Sequence, residues 1–425
     1  VHILSQDLVK EKSMGLGPST KMTSLFHFDC PVVKELLQHP DVDVPGVIIA
    51  GVSENYLEKV FTAQRVGDLL DALKPDGVIV VTDAWGNHHV DFVRVIEEAG
   101  RRNLPSVGMS FFGLQGRLVY TSDYLETLID LNKGTTGYES CVVGENHLSS
   151  LDAHKAVSIL KNKIAKKKVA VSGPSTYSHR PELTRKYFSI KTVIFGEETR
   201  IDQEKLIMTQ EVPDISTYRK WIEKVDVSLI PPNQRDQSVH SNLDFFPIAC
   251  KVAGALGEGI THVLQGVTAM ITGVEQNSHF EPANIGSSEG ILAEQVVFGT
   301  AGTPGENDTI IQINFLFKEG QGRTKEGIRA AHKIADLIIN NVRLELKEND
   351  TEPIRIEKYD CKPEKAVQKI VLIKSVSGLG NMYETAVFPN QPGGYIGSYS
   401  TMDFMNMPVV VSVNQIVDGV IHSLL

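Results

Sequence analysis

The stretch VIVVTDAWGNHHVDFVRVIEEAGRRNLPSVGMSFF, residues 78–112, decides the fold class. Residues 78–81 form an unbroken apolar run, as a strand buried on both faces requires. Residues 90–99 carry helical spacing and stop at Gly100, and 106–111 read as a further strand. Upstream, Val47-Ile48-Ile49-Ala50-Gly51 is another apolar run ending at a glycine. Residues 57–73 then offer Val60, Phe61, Leu69, Leu70 and Leu73 for one helix face. Strands alternating with helices at this spacing imply a parallel sheet covered on both faces.

Downstream, 152–168 reads as a helix whose basic end, Lys166-Lys167-Lys168, suits the helix dipole. Ser172-Gly173-Pro174-Ser175-Thr176 signals a loop. Strands are expected at 188–195, 224–230, 263–272 and 309–317, and a helix at 327–342 with Ile328, Ala331, Ala335 and Ile338 on one face. The charged stretch 345–365 reads as a lesser linker, followed by strands at 370–373 and 409–411 and a last helix from Asn414. The expected architecture is α/β: an N-terminal three-layer α/β domain with a mostly parallel sheet over 1–168, then a linker over 169–186. A mixed α/β, β-richer part over 187–425 follows, subdivided near 345–366.

A chain of 425 residues is long enough for two or three domains. Its net charge of −10 opposes phosphate-backbone binding, which needs basic clusters, so no nucleic-acid partner is expected. No apolar run approaches the roughly 20 residues that cross a bilayer, so no membrane partner is expected. Residues 1–13 show neither a long apolar core nor a small-residue cleavage site, and the first residue is Val1 rather than Met. Cys30, Cys141, Cys250 and Cys361 are scattered without a CxxC pair, so no metal site is expected and a reducing, cytoplasmic setting fits.

Chemistry concentrates where the strand at 78–81 ends. Ligands of open α/β sheets bind at the carboxyl ends of strands. There Asp83, Gly86, Asn87, His88, His89 and Asp91 offer close backbone approach, a helix cap and proton-transfer groups. Capping alone accounts for them equally well. Gly108 and Ser110, in the next strand, are candidates for lining the same crevice. Gly286-Ser287-Ser288-Glu289-Gly290 sets a carboxylate between glycines, as a binding loop or as a simple helix cap. His262, alone at a strand entrance, reads as a satisfied core residue. Gly15-Leu16-Gly17-Pro18-Ser19-Thr20 lacks the strand, third glycine and lysine of a phosphate loop.

Several of these stretches resemble the D-proline reductase proprotein family. Residues from about 15 to 167 are similar to its pyruvoyl-bearing portion through Gly17-Pro18, Gly86-Asn87 with His89, Asp91 and Phe92, Val107-Gly108-Met109-Ser110-Phe111, and Gln115-Gly116. Residues from about 187 onward resemble the preceding portion through Gly286 to Leu292 and Asp418-Gly419-Val420-Ile421-His422-Ser423-Leu424. Glycine, sarcosine and betaine reductase component B is similar more loosely, around Gly257-Glu258-Gly259 and Thr261 to Leu264.

The resemblance implies that the two portions stand in inverted order here, like two accessory proteins of the reductase gene cluster joined head to tail, or two subunits written as one chain. In the family the Ile-His-Ser-Leu-type segment runs through a cysteine into the Gly-Pro segment. Self-cleavage turns that cysteine into the pyruvoyl group, and a selenocysteine partner completes the reduction. Here Gly15 stands at the cysteine's place, and glycine has no β-carbon on which to build the group. Ser19 bears a hydroxyl but follows Pro18 out of register, and Tyr383-Glu384 stands where the family has His-Asp.

No cofactor is therefore expected in this chain. His422 and Leu425 on one side and Gly15 and Ser19 on the other form a split processing site, with Leu425 and Gly15 expected within about 15 Å. Three readings follow: an accessory subunit of an amino-acid reductase, partnered by its other subunits, its selenoprotein or further copies; a catalytic component with altered chemistry; or an amino-acid sensor without turnover.

Overall fold

The computed structural model describes residues 23–52, 56–82, 89–111, 113–133, 142–145, 147–167, 181–240, 242–276, 289–321, 324–360, 368–376, 385–388, 391–396 and 408–420. Helices in these segments are α1 (Ser24–Phe28), α2 (Pro31–Leu37), α3 (Tyr56–Leu73), α4 (His89–Arg101), α5 (Ser150–Lys166), α6 (Leu292–Gln295), α7 (Lys325–Lys347) and α8 (Val413–Val417).

The largest sheet runs in the order Val409–Val411, Val47–Gly51, Gln368–Val376, Gly77–Thr82, Ser106–Ser110, Leu128–Asp130, and Val42–Asp43 also pairs with Gln368–Val376. All its pairings are parallel except that of Val409–Val411. Alternation of side chains sorts the strands into two faces. Ile48, Val78, Val80, Val371 and Ile373 pack under α3 and α4 with Val66, Leu70, Phe92 and Ile96. Val47, Ile49, Ile79, Val81, Ile370 and Leu372 pack on the other face with Leu36 of α2 and Leu160 and Ile164 of α5. This is the expected three-layer arrangement.

Its centre comes from an unexpected place. Gln368–Val376 lies between Val47–Gly51 and Gly77–Thr82, with Leu372 level with both Val47 and Ile79. The sheet thus draws strands from both sides of the stretch read as a linker. Leu183–Ser189 is itself a strand that starts inside that stretch.

Among the described residues, two four-stranded sheets carry most of the β-rich remainder, beside one three-stranded and two two-stranded sheets. One orders Ile222–Ile230, Thr309–Phe317, Val267–Glu275 and Asn242–Phe246; the other orders Ala249–Ala253, Gly259–Gln265, Leu183–Ser189 and Arg355–Tyr359. The single strand expected at 263–272 is two strands in different sheets. They are divided at Gly266, whose φ of +90° and 2.1 Å clearance from Ile190 O admit no side chain. The strand expected at 188–195 likewise divides into Leu183–Ser189 and Thr192–Phe195. The stretch read as a lesser linker holds the end of α7 and the strand Arg355–Tyr359. Helix α7 buries Ala331, Ile334, Ala335, Ile339 and Val342 in the core of this region.

A fragment ending at residue 167 would carry the large sheet without its middle strand. An engineered protease site after Gly173, once cut, should leave both fragments eluting together in gel filtration at the intact size. Separation should require denaturant.

Candidate functional site

Parallel register sets four polar residues side by side at the carboxyl ends of the large sheet. Ser375 is level with Thr82, Thr82 with Ser110, and Ser110 with Asp130. Level residues share a face, and Ser375, Thr82 and Ser110 continue the alternation of Ile373, Val80 and Gly108, so the row lies on the α3–α4 side. The amino termini of α3 and α4 come to this end of the sheet, because each follows a strand or precedes the return.

His89 opens α4 and is fully buried. Its ring lies 5.2 Å from that of Phe92, and a Cβ on Gly116 would fall 2.2 Å from His89 Cε1. Gly116 is therefore the space that the imidazole occupies. Burial, with a smaller contribution from Arg117, pushes the imidazole pKa down to about 4. His89 is thus neutral at physiological pH and suited to hydrogen bonding or proton acceptance.

Asp91, two residues on, is held by a cation: Lys59 Nζ of α3 lies 2.5 Å from Asp91 Oδ2, with the two side chains only 1% and 5% exposed. Lys59 was not evident in the sequence, where the α3 face was read from Phe61. In the structure Phe61 is 40% exposed, and Lys59, Thr62, Ala63, Val66 and Leu70 turn inward. The ion pair clamps the first turns of the two helices above the sheet.

Of the other residues singled out, Ser110 Oγ accepts from Gly113 N at 3.2 Å, closing the turn after its strand. That turn wraps Asp130, which accepts from Leu114 N at 3.0 Å and Asn132 N at 2.8 Å. Gly108 is a packing position, since a Cβ there would sit 2.6 Å from Phe92 Cζ. Glu289 begins a short strand paired with Ser238–His240, outside the large sheet. His262 is a core histidine whose Nδ1 lies 3.0 Å from Leu346 O. Asp83, Gly86, Asn87, His88, Gly286, Ser287, Ser288, Gly15, Ser19, His422 and Leu425 lie outside the described residues.

A separate cleft of about 580 Å³ lies between α1–α2 and the β-rich part, lined by Phe28, Tyr187, Leu264, Thr300 and Arg355 among others. Of the stretches quoted from the sequence, Val263 and Leu264 line it, while none of the candidate site residues does. Among the described residues no three potential metal ligands are gathered, and no helix is long and apolar enough to cross a membrane.

Two measurements check this geometry. Lys59→Met leaves a buried carboxylate without its cation and should lower unfolding stability by about 3–5 kcal/mol in chemical denaturation, with part recovered in Lys59→Met/Asp91→Leu. His89 is depressed from 6.5 to about 4, so the unfolded chain binds the extra proton between those values and stability falls as pH drops through them. His89→Phe should make that decline shallower by about one proton in denaturation measured across the same range.

The family model for glycine/sarcosine/betaine reductase component B subunits matches residues 14–117, which include His89, Asp91, Ser110 and Gly116. The D-proline reductase proprotein PrdA of Acetoanaerobium sticklandii is 31% identical over 245 residues, covering 57% of this chain and 39% of that protein. The chain therefore spans well under half the length of that curated relative. No solved structure matches. Both matches point the same way: parts of this chain are similar to D-proline reductase and to glycine reductase component B proteins.

Proposed function

We propose that this protein is an accessory subunit of a D-proline reductase-type amino-acid reductase, without a pyruvoyl group of its own. The observation that carries the reading is Gly15. Pyruvoyl formation needs a thiol or hydroxyl on a β-carbon, first to attack the preceding carbonyl and then to be eliminated. Glycine supplies neither the heteroatom nor the carbon. The residue present at the family's cysteine position does not fit the group.

The packing of the two portions supports the reading too. Arg185 Nη1 donates to both Phe28 O of α1 (3.3 Å) and Val417 O at the end of α8 (2.9 Å). A Cβ on Gly419 would meet Ala249 Cβ at 2.6 Å and the Phe28 ring at 3.1 Å. The described segments nearest in sequence to Gly15 and to Leu425 are thus in contact, as a protein retaining the family's assembled form would have them. On this reading its partners are the other subunits of the reductase, including the selenoprotein.

A second reading is favoured by the polar row Ser375, Thr82, Ser110 and Asp130 beside neutral His89. Polar groups gathered at the carboxyl ends of parallel strands suit hydrogen bonding to a small polar molecule, and the protein would then bind an amino acid with or without turnover. Calorimetry with D-proline, glycine and betaine distinguishes it from a purely architectural role.

The decisive measurement is intact mass after treatment with a carbonyl-reactive hydrazine. The expected result is an unmodified chain of 46.7 kDa. A hydrazone on any fragment would replace the accessory reading with a catalytic one.

A further inference from the structure

Strand Arg355–Tyr359 is the outer strand of its sheet and pairs antiparallel with Leu183–Ser189, Arg355 opposite Tyr187 and Glu357 opposite Arg185. Which backbone groups it uses there follows from the other side of its neighbour. Gly259 N donates to Glu182 O, and Ile190 N donates to Gln265 O. Even-numbered residues of that neighbour therefore turn their N–H and C=O toward Gly259–Gln265, and odd-numbered ones toward Arg355–Tyr359. Arg355, Glu357 and Tyr359 face inward. The N–H and C=O groups of Ile356 and Lys358 point away from the sheet, whereas the Ile354 N–H turns inward to Tyr187 O at 2.8 Å, so Ile356 is the centre of the free edge.

Among the described residues no strand pairs with this edge. Ile354 and Ile356 beside it are 55% and 52% exposed. An open edge carrying exposed isoleucines is a template for strand addition, which proteins usually oppose with charge. Here the charges are arranged to match a copy of themselves. Arg355 and Glu357 flank Ile356 with opposite signs; Arg185, Tyr187 and Tyr359 all engage Glu357 Oε2, which leaves Oε1 with Arg355 Nε at 3.5 Å, while the Arg355 guanidinium stacks 3.9 Å from the Tyr187 ring centroid.

We infer that this edge is a self-association surface, on which two copies of the chain pair their 355–359 strands antiparallel about a two-fold axis through Ile356. In that register Arg355 falls opposite Glu357 of the partner subunit, twice by symmetry, and the two Ile356 side chains meet. An axis through Glu357 would set two carboxylates opposite each other, and one through Lys358 two ammonium groups; both are disfavoured. The surface is independent of the reductase reading and of the crevice.

The contact is one short strand, smaller than the roughly 1,600 Å² of a standard interface, so the dimer should dissociate on dilution. Sedimentation velocity of the full chain should give twice 46.7 kDa at high micromolar concentration and the single chain when dilute. Ile356→Lys should be a single chain throughout, with an unchanged melting temperature. Ile356→Cys should form a disulfide-linked dimer under mild oxidation. Its Cα atoms would lie about 5.5 Å apart across the hydrogen-bonded pair, within disulfide range. Ile354→Cys should not cross-link, because its copies would lie roughly 14 Å apart along the strands. A chain that stays single at every concentration, a dimer unmoved by Ile356→Lys, or cross-linking at 354 in place of 356 would each overturn the proposal.

Discussion

The parallel ladder on either side of Gln368–Val376 is the constraint on which the rest of the structure depends. Ile370, Val371, Leu372 and Ile373 have no exposed surface, and each face of the strand meets a different helix pair. Lys374 fixes the register. Its Nζ lies 2.9 Å from His27 Nδ1 and 5.0 Å from the Phe26 ring centroid, on the α1 side. A slip by one residue would drive that ammonium under α3 and α4 and carry Ser375 out of the polar row, so strand register and site integrity are one requirement. Because the ladder joins segments far apart in the chain, its loop-closure entropy is met late, after the local strand–helix units can form.

Buried charge is used in two contrasting ways. Arg185, with no exposed surface, stacks on Phe28 at 4.4 Å and Tyr359 at 4.8 Å and engages Glu357, Tyr359, Phe28 O and Val417 O. Burial opposes ionisation of Glu357, but Arg185 with Tyr359 and Tyr187 outweighs it and takes the carboxyl down to about 2. Asp336 in α7 has Arg343 at 2.7 Å, and burial prevails, pushing its carboxyl up to about 7. In both pairs the guanidinium favours the ionised carboxyl, and the balance against burial is decided by the further donors at Glu357 and by the fuller burial of Asp336. The saturated pair ties four chain segments together; the sparse one lies within a single helix.

Much of the fold was legible because full burial writes itself as uninterrupted apolar runs. Val47–Gly51, Thr309–Phe317 and Val409–Val411 have the bounds that their composition implies. Strand order was not legible, since nothing in residues 370–373 says which two strands they separate. Arg355–Tyr359 was hidden because its alternation is charged: Glu357 belongs with Arg185, a partner the local sequence does not show. Lys59 was hidden for the same reason. A lysine in an amphipathic helix reads as solvated until a carboxylate on the next helix is placed against it. At the crevice the residue types at His89, Asp91 and Ser110 were found, whereas their states, neutral, ion-paired and turn-closing, arise from packing that only the structure provides.

The joint between the two portions rests on a buried carboxylate. Asp418 accepts from Gly257 N at 2.7 Å and from Thr261 Oγ1 at 2.8 Å, and pairs with Lys251. This locks the Asp418-Gly419-Val420 stretch onto the Gly257-Glu258-Gly259 turn. The same stretch meets α1 through Phe28 and Arg185. A carboxylate without exposed surface, satisfied by three groups, is costly to build and gains nothing at a free chain end that water could solvate. Its cost is offset where that segment must be held in one place against another.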